Sequence, residues 1–297
     1  MDLINTSKPM QLILRMIAPV AGLMPKTIMQ LRYHRNSGRW VDWKNPATLQ
    51  EYSIVKQMEA AASPAKLRLY ADLTDKILVR DYVARRVGDS FLTKLYGTWQ
   101  NPEDIDFDKL PVPCVIKTNN ACATNFIVRS KSDLNPAGII PRLSAWLKYP
   151  YGKMTGQPHY TAIKPMILAE EYLEQTPGSD ELPYDYKFFC FKGEPRFILF
   201  YVGRRPNCHV TYDKVYDMDW NPIEWAAKNP YKESMTRPQC FDKMVAAAKE
   251  LSLGFDFVRV DFYGIGERAV FGEMTFSPDM VTNFTPEFLS RFMREIK

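Results

Sequence analysis

Residues 257–264 read FVRVDFYG and residues 269–278 read AVFGEMTFSP, with the glycine-bearing turn Gly264-Ile265-Gly266-Glu267-Arg268 joining them. Apolar and polar residues alternate in both runs, the pattern of two half-buried strands closed into a hairpin. Successive side chains point to opposite faces. Arg259 and Asp261 therefore share one face, with Val258, Val260 and Phe262 on the other. In the second run Phe271, Glu273 and Thr275 are expected on one face, and Val270, Gly272, Met274 and Phe276 on the other. The hairpin sets Asp261 and Glu273 opposite or diagonal, within roughly 5–8 Å. Two acids that close repel unless positive charge lies between them. One solution is a divalent cation carrying phosphate, since Mg²⁺ takes one or two carboxylates plus substrate oxygens. The other is a solvated face on which the acids pair with Arg259 or Arg268.

Working outward, residues 238–254 predict a helix, opened by Pro238 and closed by Gly254, with apolar residues at 241, 244, 245, 248 and 251. Upstream, YDYKFFCFKGEPRFILFYVGRR predicts two strands around a Lys192-Gly193-Glu194 turn, and residues 206–236 read as a polar, aromatic loop. MILAEEYLE predicts a buried strand. CVIKT and FIVRS predict a hairpin whose tip, NNACATN, is built from small residues. Residues 75–96 open with Asp75 as an N-cap, and Gly88 suits the C-terminal cap. In NPATLQEYSIVKQMEAAAS, Asn45-Pro46 is expected to start a helix and Ser63-Pro64 to end it. Strands and helices alternate, yet no G-x-G-x-x-G or P-loop is present, so phosphate binding would have to be built another way.

Composition narrows the classes. The 297 residues are 46% hydrophobic and 25% charged, enough for a sizeable core and two lobes. A net charge of +5 favours an acidic substrate or an anionic surface and falls short of a nucleic-acid binder. Five cysteines without a C-x-x-C pair point to a reducing compartment and away from structural zinc. Residues 12–24, LILRMIAPVAGLM, are too short and too interrupted by Arg15 and Pro19 to span a bilayer. They fit a packed N-terminal helix, or an interfacial segment helped by Lys26, Arg32, His34 and Arg35.

The order of the parts carries further meaning. The phrases NPATLQEY, DKILVRDYV, IDFDKLP, VIKTNN, AEEYL, DYKFFCFKGEPRFI, FVRVDFY and FGEMTFSP follow one another across residues 45–278. In that order they resemble the ATP-grasp superfamily and, within it, the TupA-like branch associated with teichuronopeptide and other bacterial surface polysaccharides. The resemblance implies an α+β ATP-grasp fold, two α+β lobes clamping ATP, behind a helical N-terminal segment. It implies a helical region at 1–74, an N-lobe at 75–173 with a phosphate-covering hairpin, and a C-lobe at 174–297 with a Mg²⁺-binding hairpin.

Residue by residue, the resemblance assigns Lys76 and Lys117 to ATP phosphates, Glu170 and Leu173 to the adenine-reading linker, and Asp185 to a nucleotide-facing acid. Lys187, set in an apolar strand, needs an anionic partner and is assigned to phosphate. Arg259 matches the arginine that steadies the transferred phosphoryl group or the tetrahedral intermediate. Asp261 and Glu273 match the metal carboxylates, with Thr275 where many relatives carry asparagine. Arg204 and Arg205 are candidates for an acyl phosphate or acidic sugar. Read by their residue types alone, Lys76, Arg204 and Arg205 are surface charge and Glu170 is a salt-bridged strand end. The tip Ala121-Cys122-Ala123 stands where relatives are glycine-rich, and SPDMVTNF likewise lacks an expected glycine.

The implied activity is ATP-dependent carboxylate–amine ligation through an acyl phosphate, with ATP and Mg²⁺, on a small-molecule or polysaccharide-precursor carboxylate such as a uronic acid. No nucleic-acid partner is expected. The implied location is the cytoplasm, with the inner face of the membrane as its variant. A sugar kinase of the same fold, a glycosyltransferase and a non-catalytic nucleotide-binding scaffold remain alternatives.

Overall fold

A computed structural model describes residues 8–175, 182–204 and 212–296. The chain divides into two compact units: residues 1–32, 60–80 and 93–172 form the first, and residues 33–59, 81–92 and 173–297 the second.

The first unit is built on a four-stranded antiparallel sheet of order β1-β4-β2-β3, from β1 (Leu95–Trp99), β2 (Cys114–Thr118), β3 (Asn125–Val128) and β4 (Ile167–Glu171). Helix α6 (Pro136–Leu147) covers one face, burying Ile139, Leu143 and Trp146 against Cys114, Ile116, Ile167 and Ala169. The Trp146 ring lies 4.8 Å from that of Phe126. Helices α1 (Lys8–Leu23) and α7 (Tyr151–Thr155) pack together, as do α4 (Pro64–Thr74) and α8 (Pro158–Thr161). Ser63 N-caps α4 rather than only ending the helix before it.

That earlier helix, α3 (Leu49–Ala61), lies in the second unit up to residue 59 and starts later than Asn45-Pro46 suggests. Thr48 and Glu51 set the start: the Glu51 backbone N–H donates to Thr48 Oγ1 at 3.2 Å, while Glu51 Oε2 accepts the Ala47 N–H at 2.8 Å. This reciprocal box satisfies N–H groups that the prolyl residue leaves untouched.

The second unit holds a five-stranded antiparallel sheet of order β7-β6-β5-β8-β9, from β5 (Asp185–Phe191), β6 (Glu194–Val202), β7 (Tyr212–Tyr216), β8 (Phe257–Ile265) and β9 (Arg268–Thr275). Strand β7 corrects the expectation of a loop through 206–236. Central strand β5 is buried along its whole length. Helix α9 (Phe241–Ser252) closes one face, with Phe241, Met244, Ala248 and Leu251 buried. Phe188 stacks on Phe241 at 5.9 Å and meets Phe262 edge-on at 5.6 Å. Gly264 permits the close fit, since a Cβ there would lie 2.8 Å from Met244 Cε. At one end of the other face, Phe288 and Phe292 of α10 (Pro286–Ile296) pack on Phe197. Each phenylalanine buried in this way contributes about 1.5–3 kcal/mol.

The β8–β9 pairing sets Asp261 directly opposite Glu273 but shifts register between Asp261 and Phe262. Gly272 is the extra residue of that bulge, and Phe271 consequently pairs with Phe262, their rings 6.2 Å apart at 83°. Phe271 therefore joins the core face, not the face of Glu273 that simple alternation gives it.

Candidate functional site

The same face as α10, farther along the second sheet, carries the charged residues, most of them buried. Lys187, Asp261 and Glu273 stand in one row across β5, β8 and β9, because Lys187 pairs with Asp261 and Asp261 with Glu273. Two residues along, Arg259 sits opposite Thr275, and two residues the other way Asp185 flanks Lys187. The period of two puts all six on the same side.

Arg259 is the hub. Its Nε donates to Asp261 Oδ1 at 2.7 Å, and its NH2 group donates to Asp261 Oδ2 at 2.6 Å, Glu273 Oε1 at 2.7 Å and Thr275 Oγ1 at 3.1 Å. Lys187 Nζ donates to Asp185 Oδ2 at 2.5 Å and Asp261 Oδ2 at 2.8 Å, and lies 5.5 Å from the Tyr201 ring centre. Arg204 donates to the same Asp185 oxygen at 3.2 Å. Three acids (Asp185, Asp261, Glu273) thus face three cations (Lys187, Arg204, Arg259), and the cluster is formally neutral. Burial would lower the Lys187 pKa, but Asp185 and Asp261 hold the ammonium above the usual lysine range. Burial pushes Asp261 up, against the pull of Arg259 and Lys187. Arg259 is likewise held in its charged form by Asp261 and Glu273 despite its burial.

No group of three or more His, Cys, Asp or Glu side chains is assembled to hold a metal ion among the described residues. Mg²⁺ does not need one, because one or two carboxylates suffice when substrate phosphates complete its octahedron. Asp261, Glu273 and Thr275 offer only hard oxygen donors. Asp185 Oδ1 is buried without a hydrogen-bond partner, an acceptor still open to a ligand. The donor set fits a magnesium-bound phosphate.

The first unit gathers a second set. Lys117 ion-pairs with Glu170, whose Oε2 also accepts from Thr93 Oγ1 at 3.0 Å. Arg80 donates to Thr93 Oγ1 at 3.1 Å and stands 3.8 Å from Glu170. Glu170 is therefore the salt-bridged strand end that its residue type suggests, within the set the nucleotide reading selects. Lys76 is not free surface charge: its Nζ donates to the Ala121 carbonyl at 2.8 Å, at the tip between β2 and β3. Asn119 anchors this tip, donating to Asp75 Oδ2 at 2.8 Å and the Lys164 carbonyl at 3.0 Å, and accepting from the Met166 N–H at 2.7 Å. Ala123 carries φ of +56°, the left-handed conformation that glycine adopts freely.

Leu173, assigned to the linker, is buried and belongs to the second unit. Arg205 lies outside the described residues. The sequence reading missed Arg80, Thr93 and Asn119 in the first unit. In the second it missed Tyr201, Asn283 and Asp213. Asn283 Nδ2 donates to Asp213 at 3.2 Å, while burial pushes the Asp213 carboxyl up to about 6. It also missed Gln50, whose Nε2 donates to the Pro278 carbonyl at 3.0 Å and whose Oε1 accepts the Met280 N–H, fixing the glycine-poor stretch after Glu273. A capping Thr-x-x-Glu near Gln50 was the one available signal; Arg80 lies in a short helix and the others on strands or loops, with no distinctive pattern.

Solved structures similar to this chain include the ATP-grasp ligase PsnB complexed with its minimal precursor, at 17% identity and TM-score 0.40, over 77% of this chain and 60% of that one. D-alanine–D-alanine ligase from Bacillus anthracis matches at 16% identity and TM-score 0.43, over 75% and 63%. N5-carboxyaminoimidazole ribonucleotide synthetase from Thermus thermophilus matches at 13% and 0.40, over 76% and 52%. The chain spans less than two thirds of the length of each. No curated protein matches it. The family model for TupA-like ATPgrasp matches residues 58–294, most of the chain. With both α+β units in hand and that match running through them, the chain belongs to the TupA-like ATP-grasp family.

Proposed function

We propose that this protein is an ATP-dependent carboxylate–amine ligase, forming ADP and phosphate, that acts in bacterial surface-polysaccharide biosynthesis. The observation that carries the reading is the neutral lattice of Asp185, Lys187, Arg204, Arg259, Asp261 and Glu273 on one sheet face. Six formal charges on a mostly buried surface are costly to keep for packing alone. They are useful where a polyanion and a cation arrive together and the ion pairs exchange partners.

Asp261, Glu273 and Thr275 are the residues that would hold Mg²⁺, which, when bound, supplies neutralising charge for the phosphates of the substrate ATP. Arg259 and Lys187, released from those carboxylates, are the cations that face the phosphoryl group as it moves. Lys76 and Lys117 are proposed to hold phosphates from the first unit, and Glu170 with Leu173 to read the base. In the first half-reaction a substrate carboxylate oxygen bonds to the γ-phosphorus and the bond to ADP breaks. In the second an amine nitrogen bonds to the acyl carbon, phosphate leaves and the amine proton is lost. Positioning and charge neutralisation do the catalysis, and no protein nucleophile is required. Arg204 is proposed to bind the acyl phosphate or an acidic sugar. A uronic acid is the proposed carboxylate and an amino acid the proposed amine; this choice, the polysaccharide context and a cytoplasmic location rest on family membership.

The test is ADP release from ATP with glucuronic or galacturonic acid, with and without an amino-acid pool, read together with product mass. Amine-dependent ADP release and an amide product are expected. A phosphorylated sugar formed without amine would replace the ligase by a kinase, and consumption of a UDP-sugar without ATP would replace it by a glycosyltransferase. Tight ATP binding without turnover on any acceptor would leave a nucleotide-binding scaffold.

A further inference from the structure

Helix α1 has two apolar faces, and among the described residues only one is buried. Leu14, Ala18 and Ala21 are buried in the first unit. Ile13 (51% exposed), Met16 (72%), Ile17 (46%), Val20 (62%) and Leu23 (84%) open to solvent. At about 100° per residue these five form one stripe about 120° wide, adjacent to the buried face. Met24 and Leu31, just downstream, are also exposed. Isolated exposed apolar residues are ordinary, whereas a continuous stripe marks a surface that something covers.

Charge identifies the cover. From residue 3 to residue 41 the sequence contains Lys8, Arg15, Lys26, Arg32, Arg35 and Arg39, and no Asp or Glu. Two copies meeting through this segment would set like charges together. An anionic lipid surface has the opposite sign and an apolar interior, which suits a helix that lies in the interface with its apolar side about 5–10 Å deep. No described helix is long and apolar enough to cross a membrane, so the geometry is that of a helix lying on one. We infer that the Ile13–Leu23 stripe of α1 docks the protein onto an anionic lipid surface. This inference stands independently of the ligase reading.

The test is co-sedimentation of the full chain with vesicles of phosphatidylcholine alone, or with about one third phosphatidylglycerol. Binding to the anionic vesicles is expected, weakened above about 0.5 M salt. The double variant Ile17→Asp/Val20→Asp is expected to lose at least about tenfold in vesicle partitioning. Its thermal melt should be unchanged, since both side chains are exposed. A second variant, Lys26→Gln, is expected to narrow the preference for anionic over neutral vesicles. Absence of binding to anionic vesicles, equal binding to both kinds, or unaltered binding by the double variant would overturn the inference. Self-association removed by the double variant, without lipid binding, would assign the stripe to a contact between copies instead.

Discussion

The Arg259 guanidinium stands 2.6 Å from Asp261 Oδ2 and 2.7 Å from Glu273 Oε1, so a single side chain bridges both acids of the β8–β9 hairpin. A divalent cation taking those carboxylates must therefore displace or share them with an arginine already in place. Mg²⁺ alone is expected to raise the melting temperature of the wild-type protein only slightly. Arg259→Met leaves a buried carboxylate short of its partner and is expected to cost about 3–5 kcal/mol without metal. Millimolar Mg²⁺ should then stabilise this variant more than the wild type. Equal melting shifts with Mg²⁺ in the two proteins would refute the partner exchange.

Lys187 bridges Asp185 and Asp261, both buried. Lys187→Met is expected to destabilise by about 3–5 kcal/mol, because two buried acids lose a cation at once. Asp185→Asn alone removes a charge that Lys187 and Arg204 both satisfy. The double variant should be less destabilised than the sum of the singles by about 1 kcal/mol or more, measured by urea unfolding. Simple additivity would mean that the three groups do not act as one network.

Glu273 is the more exposed acid of the pair, its side chain one-third accessible, whereas Asp261 is almost fully covered. Glu273→Gln keeps the shape and one hydrogen-bonding oxygen, so its melting temperature should lie close to that of the wild type. If Glu273 holds the metal, metal-dependent ADP release should fall by about 10²-fold or more. A folded variant with undiminished turnover would remove Glu273 from the metal site.

The legible parts of this chain were those written in alternation and caps. The Asp261–Glu273 pairing, the β2–β3 hairpin and the Gly254 stop follow from period-two runs and glycine positions. Phe271 was misplaced because a bulge reverses the face and leaves no mark in the sequence beyond Gly272. Strand β7 was missed because Asp213 and Lys214, adjacent and oppositely facing, are both buried, which defeats apolar–polar alternation. Spacing put Arg259 on the same face as Asp261 but did not choose between an arginine and a metal as the charge between the acids. That choice depends on rotamers and distances, which a period of two does not encode.

Ala123 adopts φ of +56° at the tip that Lys76 and Asn119 hold in place. A left-handed residue with a Cβ costs roughly 1–2 kcal/mol, while glycine gives back part of that as entropy in the unfolded chain. Ala123→Gly is therefore expected to be neutral or stabilising by up to about 1 kcal/mol, against the usual penalty for alanine to glycine. A loss of more than about 1 kcal/mol in chemical unfolding would show that Ala123 is not strained.

His159 and Asp213 make stability depend on pH in opposite senses. Burial lowers the His159 pKa from 6.5 to about 3, so the fold favours its neutral form. The stability His159 gives is present above pH 6.5 and is lost as pH falls toward 3. Burial raises Asp213 from 3.8 to about 6, so the fold favours its protonated form. That contribution is present below pH 3.8 and is lost as pH rises through 6. Between pH 4 and 6 the two slopes partly cancel in the wild type. Removing one group should expose the other. His159→Leu should lose stability with rising pH across this window, and Asp213→Asn should gain it, each with a slope of up to about 1.4 kcal/mol per pH unit. Unfolding free energies at half-unit steps from pH 4 to 7 would measure both, and parallel curves for the two variants would contradict the assignment.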